Sequence, residues 1–320
     1  MKKISVLGCG RWGSFIGWYL ANHDFDVTQW GITGDYTYEV LKNEGKNEYV
    51  ELDKRIDLTD DLEKAVNHAE IIIISISSQH LRSFMKRVTE FDVSKKTFVL
   101  CMKGIEIETG KRLSEVMVES GISPENIAVW VGPGHIQAFT QGYPNCMVID
   151  SANPELVKYL ADLFRSELIR FYYGDDLIGS EIGAAAKNVM GIAAGMLDGG
   201  NYTTLKGALM ARGAREVARL IGALGGKEIS AYGLCHLGDY ETTLFSEYSH
   251  NRGFGEKFIK GEKFTKLAEG VPTAKAMLKL GEKYNVDLPI TNAVYEIVYN
   301  GKSPKIMFDQ LFSRSTRKEF

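Results

Sequence analysis

The sequence predicts two domains: an α/β domain on a parallel sheet over residues 1–176, then an all-α domain over residues 177–320. Three observations carry this. In the first half, short β-branched apolar runs alternate with helix-like stretches, the pattern of a parallel sheet covered by helices. The run IIIISIS is apolar on both faces, whereas a strand with one wet face would alternate. From about residue 175 strand-like runs stop, and Ala- and Gly-rich segments in helical period take over. A chain of 320 residues, 44% of them hydrophobic, fits about two domains on a prior of roughly 100–200 residues each.

Strands are expected at 4–7, 26–30, 71–75, 97–102, 127–131 and 147–150, with a closing strand at 169–173. Helices are expected at 13–22, 61–68, 80–90, 111–119 and 154–164. The turn-like GDDLIG at 174–179 marks the boundary. Beyond it, SEIGAAAKNVMGIAAGMLDG and TLKGALMARGAREVARLIGALGG read as helices whose small residues allow close backbone approach. That seam is either a core contact within the chain or a homodimer contact. Later segments at 272–284, 289–299 and 304–312 carry proline at or near a helix start, where its missing N–H costs nothing.

Composition excludes several classes. A net charge of −3 lacks the basic balance of a general nucleic-acid binder. The basic FSRSTRKEF end reads as solvated. The longest apolar runs fall short of the ~20 residues that cross a membrane, so membrane insertion is not expected. Met1-Lys2-Lys3 runs directly into the first strand, and the expected location is a reducing cytoplasm. Four cysteines, at 9, 101, 146 and 235, form no CxxC pair and no metal spacing.

The stretch LGCGRWGSFIGW places Gly8, Gly10 and Gly13 between a strand and a helix. That context turns a weak GxGxxG into a candidate dinucleotide loop, against the plainer reading of a glycine-rich turn. Gly8 permits the tight turn, Gly10 lets the backbone approach a pyrophosphate, and Gly13 lets helix pack on strand. The helix N-terminus then offers free N–H groups and a partial positive charge. After the second strand, VTQWGITGDY has neither the acid that reads a ribose hydroxyl nor the arginine that reads a 2′-phosphate. NAD or NADP is left open.

Lys103 in CMKGIE follows a strand, where α/β sheets present ligands. Lys187 lies in AAAKNVMG among Ala, Gly, Val and Met, where a charge is expensive unless paired or functional. Asp239 follows a glycine in CHLGDYETT. Lys206, in TTLKGALMARG, has no comparable companion and reads as an ordinary helix lysine.

Taken together, GCGRWG, KGIE, VGPGH with GYPN, SEIGAAAKNVMGIAAGMLDG, ALMARG, GLCHLGD, SHNRGFG and LAEGVPTA make the chain resemble the bacterial-type NAD(P)-dependent glycerol-3-phosphate dehydrogenases from end to end. The resemblance implies a Rossmann-type N-terminal domain and a helical C-terminal one. It implies reversible conversion of dihydroxyacetone phosphate to sn-glycerol 3-phosphate, a supply for phospholipid synthesis. Lys187 matches the family's proton donor and acceptor. Its pKa is expected to be lowered by burial and a like charge such as Lys103, and Asp239 is expected to hold its ammonium. Lys103 matches a lysine touching substrate and cofactor. Gly132, Gly134, Asn188, Thr243, Ser249, His250 and Asn251 fall on substrate-contact positions. Arg11, Trp12, Ile136, His250, Leu267 and Glu269 join the loop glycines on the cofactor side. No metal is implied.

Two departures stand out. Gly134 replaces the serine of the family's GPS, and His250 replaces the arginine of its SRN. Arginine is always charged, whereas histidine is half-ionised near ~6.5. Phosphate binding is therefore expected to weaken as pH rises unless Arg252 or another cation compensates. A related two-domain hydroxy-acid dehydrogenase and a non-catalytic dinucleotide sensor are the other readings of this arrangement.

Overall fold

The computed structural model describes every residue except Arg317 and Phe320. Two compact units divide between Glu181 and Ile182, and residues 104–110 belong with the second. The first unit begins β1 (Lys3–Leu7), α1 (Arg11–Ala21), β2 (Asp26–Trp30), α2 (Tyr36–Glu44), β3 (Asp57–Thr59), α3 (Leu62–His68) and β4 (Ile71–Ile74). It continues α4 (Leu81–Val88), β5 (Thr97–Leu100), α5 (Leu113–Glu119), β6 (Ile127–Val131), α6 (Ile136–Thr140), β7 (Asn145–Ser151), α7 (Pro154–Phe164) and β8 (Ile169–Tyr173).

The eight strands form one sheet in the order β3-β2-β1-β4-β5-β6-β7-β8. The chain builds outward from β1 to β3, then restarts at β4 on the other side of β1. That reversal makes a crevice at the carboxyl ends of β1 and β4, where open α/β sheets bind ligands. The expected all-parallel sheet needs one correction, since β7 runs antiparallel to β6 while β8 is parallel to β7. Only the five-residue α6 separates β6 from β7, in place of a full crossover helix. Strands buried on both faces, as β6 and most of β7 are, carry no signal of direction in their sequence. The edge strand β3 and helices α2 and α6 are additions to the expected elements. The core of this unit stacks aromatics, with Phe15 on Phe139 at 5.0 Å and Trp130 on Phe164 at 5.3 Å.

Helix α8 (Leu177–Gly199) crosses the division point. Its first turn belongs to the first unit, where Asp150 accepts from the Ser180 hydroxyl at 2.6 Å. The second unit continues with α9 (Lys206–Ala223), α10 (His250–Lys260), α11 (Gly270–Tyr284), α12 (Pro289–Asn300) and α13 (Pro304–Phe312). The glycine seam lies within the chain and joins α8 to α10, where α8 and α9 were the helices read as small-residue partners. A Cβ at Gly195 would strike the Arg252 carbonyl, and one at Gly255 the Ile192 carbonyl. Backbone therefore lies on backbone along the helix that carries Lys187. Among the described residues no helix is long and apolar enough to cross a membrane.

Candidate active site

In the first unit, the loop after β1 meets the loop after β4. Gly8 has φ +117°, and a Cβ there would collide with the Ser75 carbonyl. A Cβ at Gly13 would collide with the Gly8 carbonyl, so α1 starts hard against the loop. Gly10 differs: a Cβ there would meet nothing within 4 Å. Its side is open, and no side chain caps the first turn of α1. A helix N-terminus capped by glycine, beside open space, fits a pyrophosphate. This is the observation by which these residues suit a dinucleotide.

Three further residues gather here. The Lys103 ammonium donates to the Gly132 carbonyl at 2.7 Å and lies 5.8 Å from the centre of the Trp12 ring. Gly132 has φ +125°, so its carbonyl is presented by a backbone shape that side chains disfavour. Arg11 is partly buried and stands over the Tyr49 ring at 5.5 Å. Burial lowers its pKa. Ile136 points into the apolar core rather than outward. A Cβ at Gly134 would run into the Phe139 ring. The acid nearest the end of β2, Asp35, is spent as the N-cap of α2, accepting from the Thr37 N–H at 2.9 Å. Burial raises the Cys9 thiol to about 11 and Cys101 higher still, the opposite of an activated nucleophile.

In the second unit, Lys187 and Asp239 form an ion pair at 2.8 Å with side chains 10% and 1% exposed. Lys187 also donates to the Thr243 hydroxyl at 2.9 Å. Asp239 accepts from the Thr242 hydroxyl as well. The threonines sit on a π-helical turn, Glu241–Phe245, a rare shape that recurs at functional sites. The residue after the lysine, Asn188, accepts from Asn251 Nδ2 at 3.0 Å, and Asn251 Oδ1 accepts the Gly270 N–H at 2.9 Å. Gly270 opens α11, so this pair also draws in Glu269, its N-cap residue. Leu267 is 58% exposed. The Ser249 hydroxyl is engaged as the N-cap of α10, accepting from Arg252 N–H at 3.3 Å. His250 follows it, edge-on to Phe264. Arg252, the cation that was to compensate for His250, is turned to Asp198 at 2.7 Å and Glu256 at 3.3 Å.

Two features escaped the sequence reading. Lys206 is buried, 2.6 Å from Asp198, which corrects its reading as an ordinary helix lysine. The signal was its place as first residue of α9, where a cation opposes the helix dipole. His236, wholly buried, bridges the Gly183 carbonyl (2.9 Å) and the Tyr240 hydroxyl (2.6 Å). Burial depresses its pKa to about 4, so the ring is neutral near pH 7. It thereby fastens the turn of α8 before Lys187 to the residue after Asp239.

Comparison with known proteins decides the family. Residues 3–157 match the family model for the N-terminus of NAD-dependent glycerol-3-phosphate dehydrogenase, and residues 176–309 the model for its C-terminus. The chain belongs to this family. It is 35% identical over 330 residues to glycerol-3-phosphate dehydrogenase (NAD(P)+) of Chlorobium phaeobacteroides, covering 99% of each chain. The Staphylococcus aureus protein of the same name is 35% identical over 333 residues and covers 100% of both. The crystal structure of glycerol-3-phosphate dehydrogenase from Coxiella burnetii superposes with a TM-score of 0.91 at 26% identity, over 98% of this chain and 99% of that one.

Proposed function

We propose that the chain is an NAD(P)-dependent glycerol-3-phosphate dehydrogenase, reducing dihydroxyacetone phosphate reversibly to sn-glycerol 3-phosphate, with Lys187 as proton donor. The observation that carries the chemistry is the buried Lys187–Asp239–Thr243 cluster in a chain of this family.

A dinucleotide held at the Gly8–Gly13 loop would supply or accept the hydride at the substrate's C2 carbon. The protein's part is the proton. As the carbonyl becomes an alkoxide, Lys187 gives a proton from Nζ to that oxygen and takes it back in oxidation. Asp239 stabilises the charged, donating form of the lysine, since an opposite charge close by favours ionisation. Thr243 fixes a second ammonium proton and so aims the third. Lys103, held by the Gly132 carbonyl beside Trp12, is the proposed second cation on the substrate and the dinucleotide. Gly134, Asn188, Ser249, His250 and Asn251 complete the substrate contacts in this proposal. Gly8, Gly10, Arg11, Trp12, Gly13, Ile136, Leu267 and Glu269 complete those to the cofactor. For Ile136 and Ser249 the contribution falls to the backbone, because their side chains are engaged elsewhere.

The proposal places the protein in the cytoplasm, supplying phospholipid synthesis, with a small-molecule substrate and no nucleic-acid partner. The glycine stripe, which the sequence allows as either a core contact or a dimer contact, is used within one chain, so light scattering is the test of a homodimer. The reaction itself is tested by following NADH or NADPH absorbance with dihydroxyacetone phosphate. Oxidation of either, abolished in Lys187→Ala while dinucleotide still binds, supports both reaction and residue. No oxidation with either cofactor sinks the assignment. It would return the related-dehydrogenase and sensor readings.

A further inference from the structure

The second unit holds another buried lysine–carboxylate pair that the reaction above does not use. Lys206 is 5% exposed, and its Nζ lies 2.6 Å from Asp198 Oδ2 and 2.9 Å from the Leu244 carbonyl oxygen. Leu244 directly follows Thr243 in the π-helical turn. Lys206 therefore fastens the end of the turn that carries the hydroxyl bonded to Lys187. The same Asp198 oxygen accepts from Arg252 Nε at 2.7 Å. Arg252 stands one residue past Asn251, whose amide donates to Asn188. One largely shielded carboxylate, 9% exposed, thus ties down two pieces of chain, and those pieces supply the partners of Lys187 and of Asn188.

A stability argument alone does not account for this. Burying Lys206 against a shielded carboxylate carries a desolvation cost that apolar packing avoids, and such pairs are often no more stable than an apolar core. What the arrangement adds is a fixed geometry. The α8–α10 seam fixes the backbones, but Thr243 lies on neither helix. Lys206 reaches it through the adjoining carbonyl.

We propose that Lys206 is a positioning residue for the catalytic lysine: through the Leu244 carbonyl and Asp198 it holds Thr243 against Lys187 and Asn251 against Asn188. It touches no reacting atom. The inference rests on the dehydrogenase reading and extends it to a residue outside the reacting groups.

The test compares wild type, Lys206→Met and Lys206→Arg in steady-state kinetics, with circular dichroism for folding and direct titration of the dinucleotide. Lys206→Met should lose about a hundredfold in kcat, the size of effect a misplacement on the order of 1 Å produces, while dinucleotide affinity is unchanged. Lys206→Arg should recover most of the loss, since it keeps a charged donor at the same place. Asp198→Asn, which also loosens Arg252 and α10, should add a rise in KM for dihydroxyacetone phosphate. A folded Lys206→Met with wild-type kcat overturns the proposal. If Lys206→Met does not fold, Lys206→Gln takes its place: wild-type kcat there overturns the proposal, and a loss that arginine restores supports it. Nitrogen NMR of labelled lysine supplies a readout without turnover. The Lys187 ammonium signal should broaden or shift in the variant, and an unchanged signal counts against positioning. If wild type is inactive, the dehydrogenase reading fails, and the NMR comparison alone still decides the role of Lys206.

Discussion

The glycine loop of the first unit and the lysine cluster of the second handle charge in opposite ways. The glycines at 8, 10 and 13 shape their part of the site from backbone, with a glycine N-cap and no acid in the first turn of α1. The cluster around Lys187 is made of charged side chains removed from water, with Lys187, Lys206 and Asp239 all under a tenth exposed. A backbone site is local, so a few missing Cβ atoms specify it. A buried-charge site is spread from residue 187 to residue 252 and stands only while every partner is present. Losing one partner leaves the other charged in a medium that cannot solvate it. The second site should therefore fail more steeply under single substitutions than the first.

The largest expected effect follows from removing Asp239. Asp239→Asn leaves the Lys187 ammonium facing an amide, and breaking a buried pair costs about 3–5 kcal/mol. Urea unfolding measures that cost. Turnover should fall by about 10²–10⁴, the range that positioned proton transfer contributes. The double variant Lys187→Met with Asp239→Asn should regain stability but no activity. If the double variant is as unstable as the single, uncompensated charge is not the cause, and the contrast between the two sites weakens.

The loop is tested by a pair of alanines. Gly8→Ala imposes a positive φ on a side chain and a collision with the Ser75 carbonyl. A strained backbone position of that kind costs about 1–3 kcal/mol. Gly10→Ala meets nothing, and its φ of −68° suits alanine. Its melting temperature should hold or rise slightly, while dinucleotide affinity falls by about tenfold or more if the open space is where the pyrophosphate lies. Undiminished affinity in Gly10→Ala would remove the phosphate from that space.

Acid separates the two units as well. Burial raises Asp150, in the first unit, to about 6 and lowers His236, in the second, to about 4. Between these values the folded state holds an extra proton on Asp150 and lacks one on His236. The Asp150 contribution is complete below its unfolded pKa, near 3.8, and is lost as pH rises through about 6. The His236 contribution is complete above 6.5 and is lost as pH falls toward 4. Each is worth roughly 3 kcal/mol, with opposite sign. Relative to wild type, Asp150→Asn should lose stability as pH falls from 6.5 to 4, and His236→Asn should gain it. Parallel pH curves for the two variants would show that neither group titrates differently on folding.

The same local–distributed contrast explains what the sequence made legible. Strands Asp26–Trp30, Ile127–Val131 and Ile169–Tyr173 were readable to the residue, because short runs rich in β-branched and aromatic residues between turn signals need no tertiary context. The glycine loop was readable for the same reason. Strand β3 has three residues at the sheet edge, and α2 is half-exposed and polar, so neither leaves a periodic signal. The direction of β7 is absent from its own composition. Lys187 was conspicuous among alanines, whereas Lys206 was not, because its partners lie at 198 and 244, on other elements. That Ser249 is a cap and that Arg252 faces Asp198 are likewise facts of pairing, which spacing alone does not encode.

A more local effect concerns Gly134, where a serine was expected from the resemblance. A Cβ there would strike the Phe139 ring, whose Cζ lies 2.8 Å from that position. Phe139 is 1% exposed and stacked on Phe15, so it cannot easily move aside. The glycine thus answers to packing in the first unit, and the missing hydroxyl is its consequence. Gly134→Ser should cost about 1–3 kcal/mol, the usual range for overpacking, and Phe139→Leu in the same chain should return most of it. If the hydroxyl had been lost for want of function, the double variant would turn over dihydroxyacetone phosphate no better than wild type. If packing alone removed it, the double variant should bind that substrate more tightly, with a lower KM and the same dinucleotide affinity. A Gly134→Ser single variant as stable as wild type would show that the ring yields, and the packing account would fall.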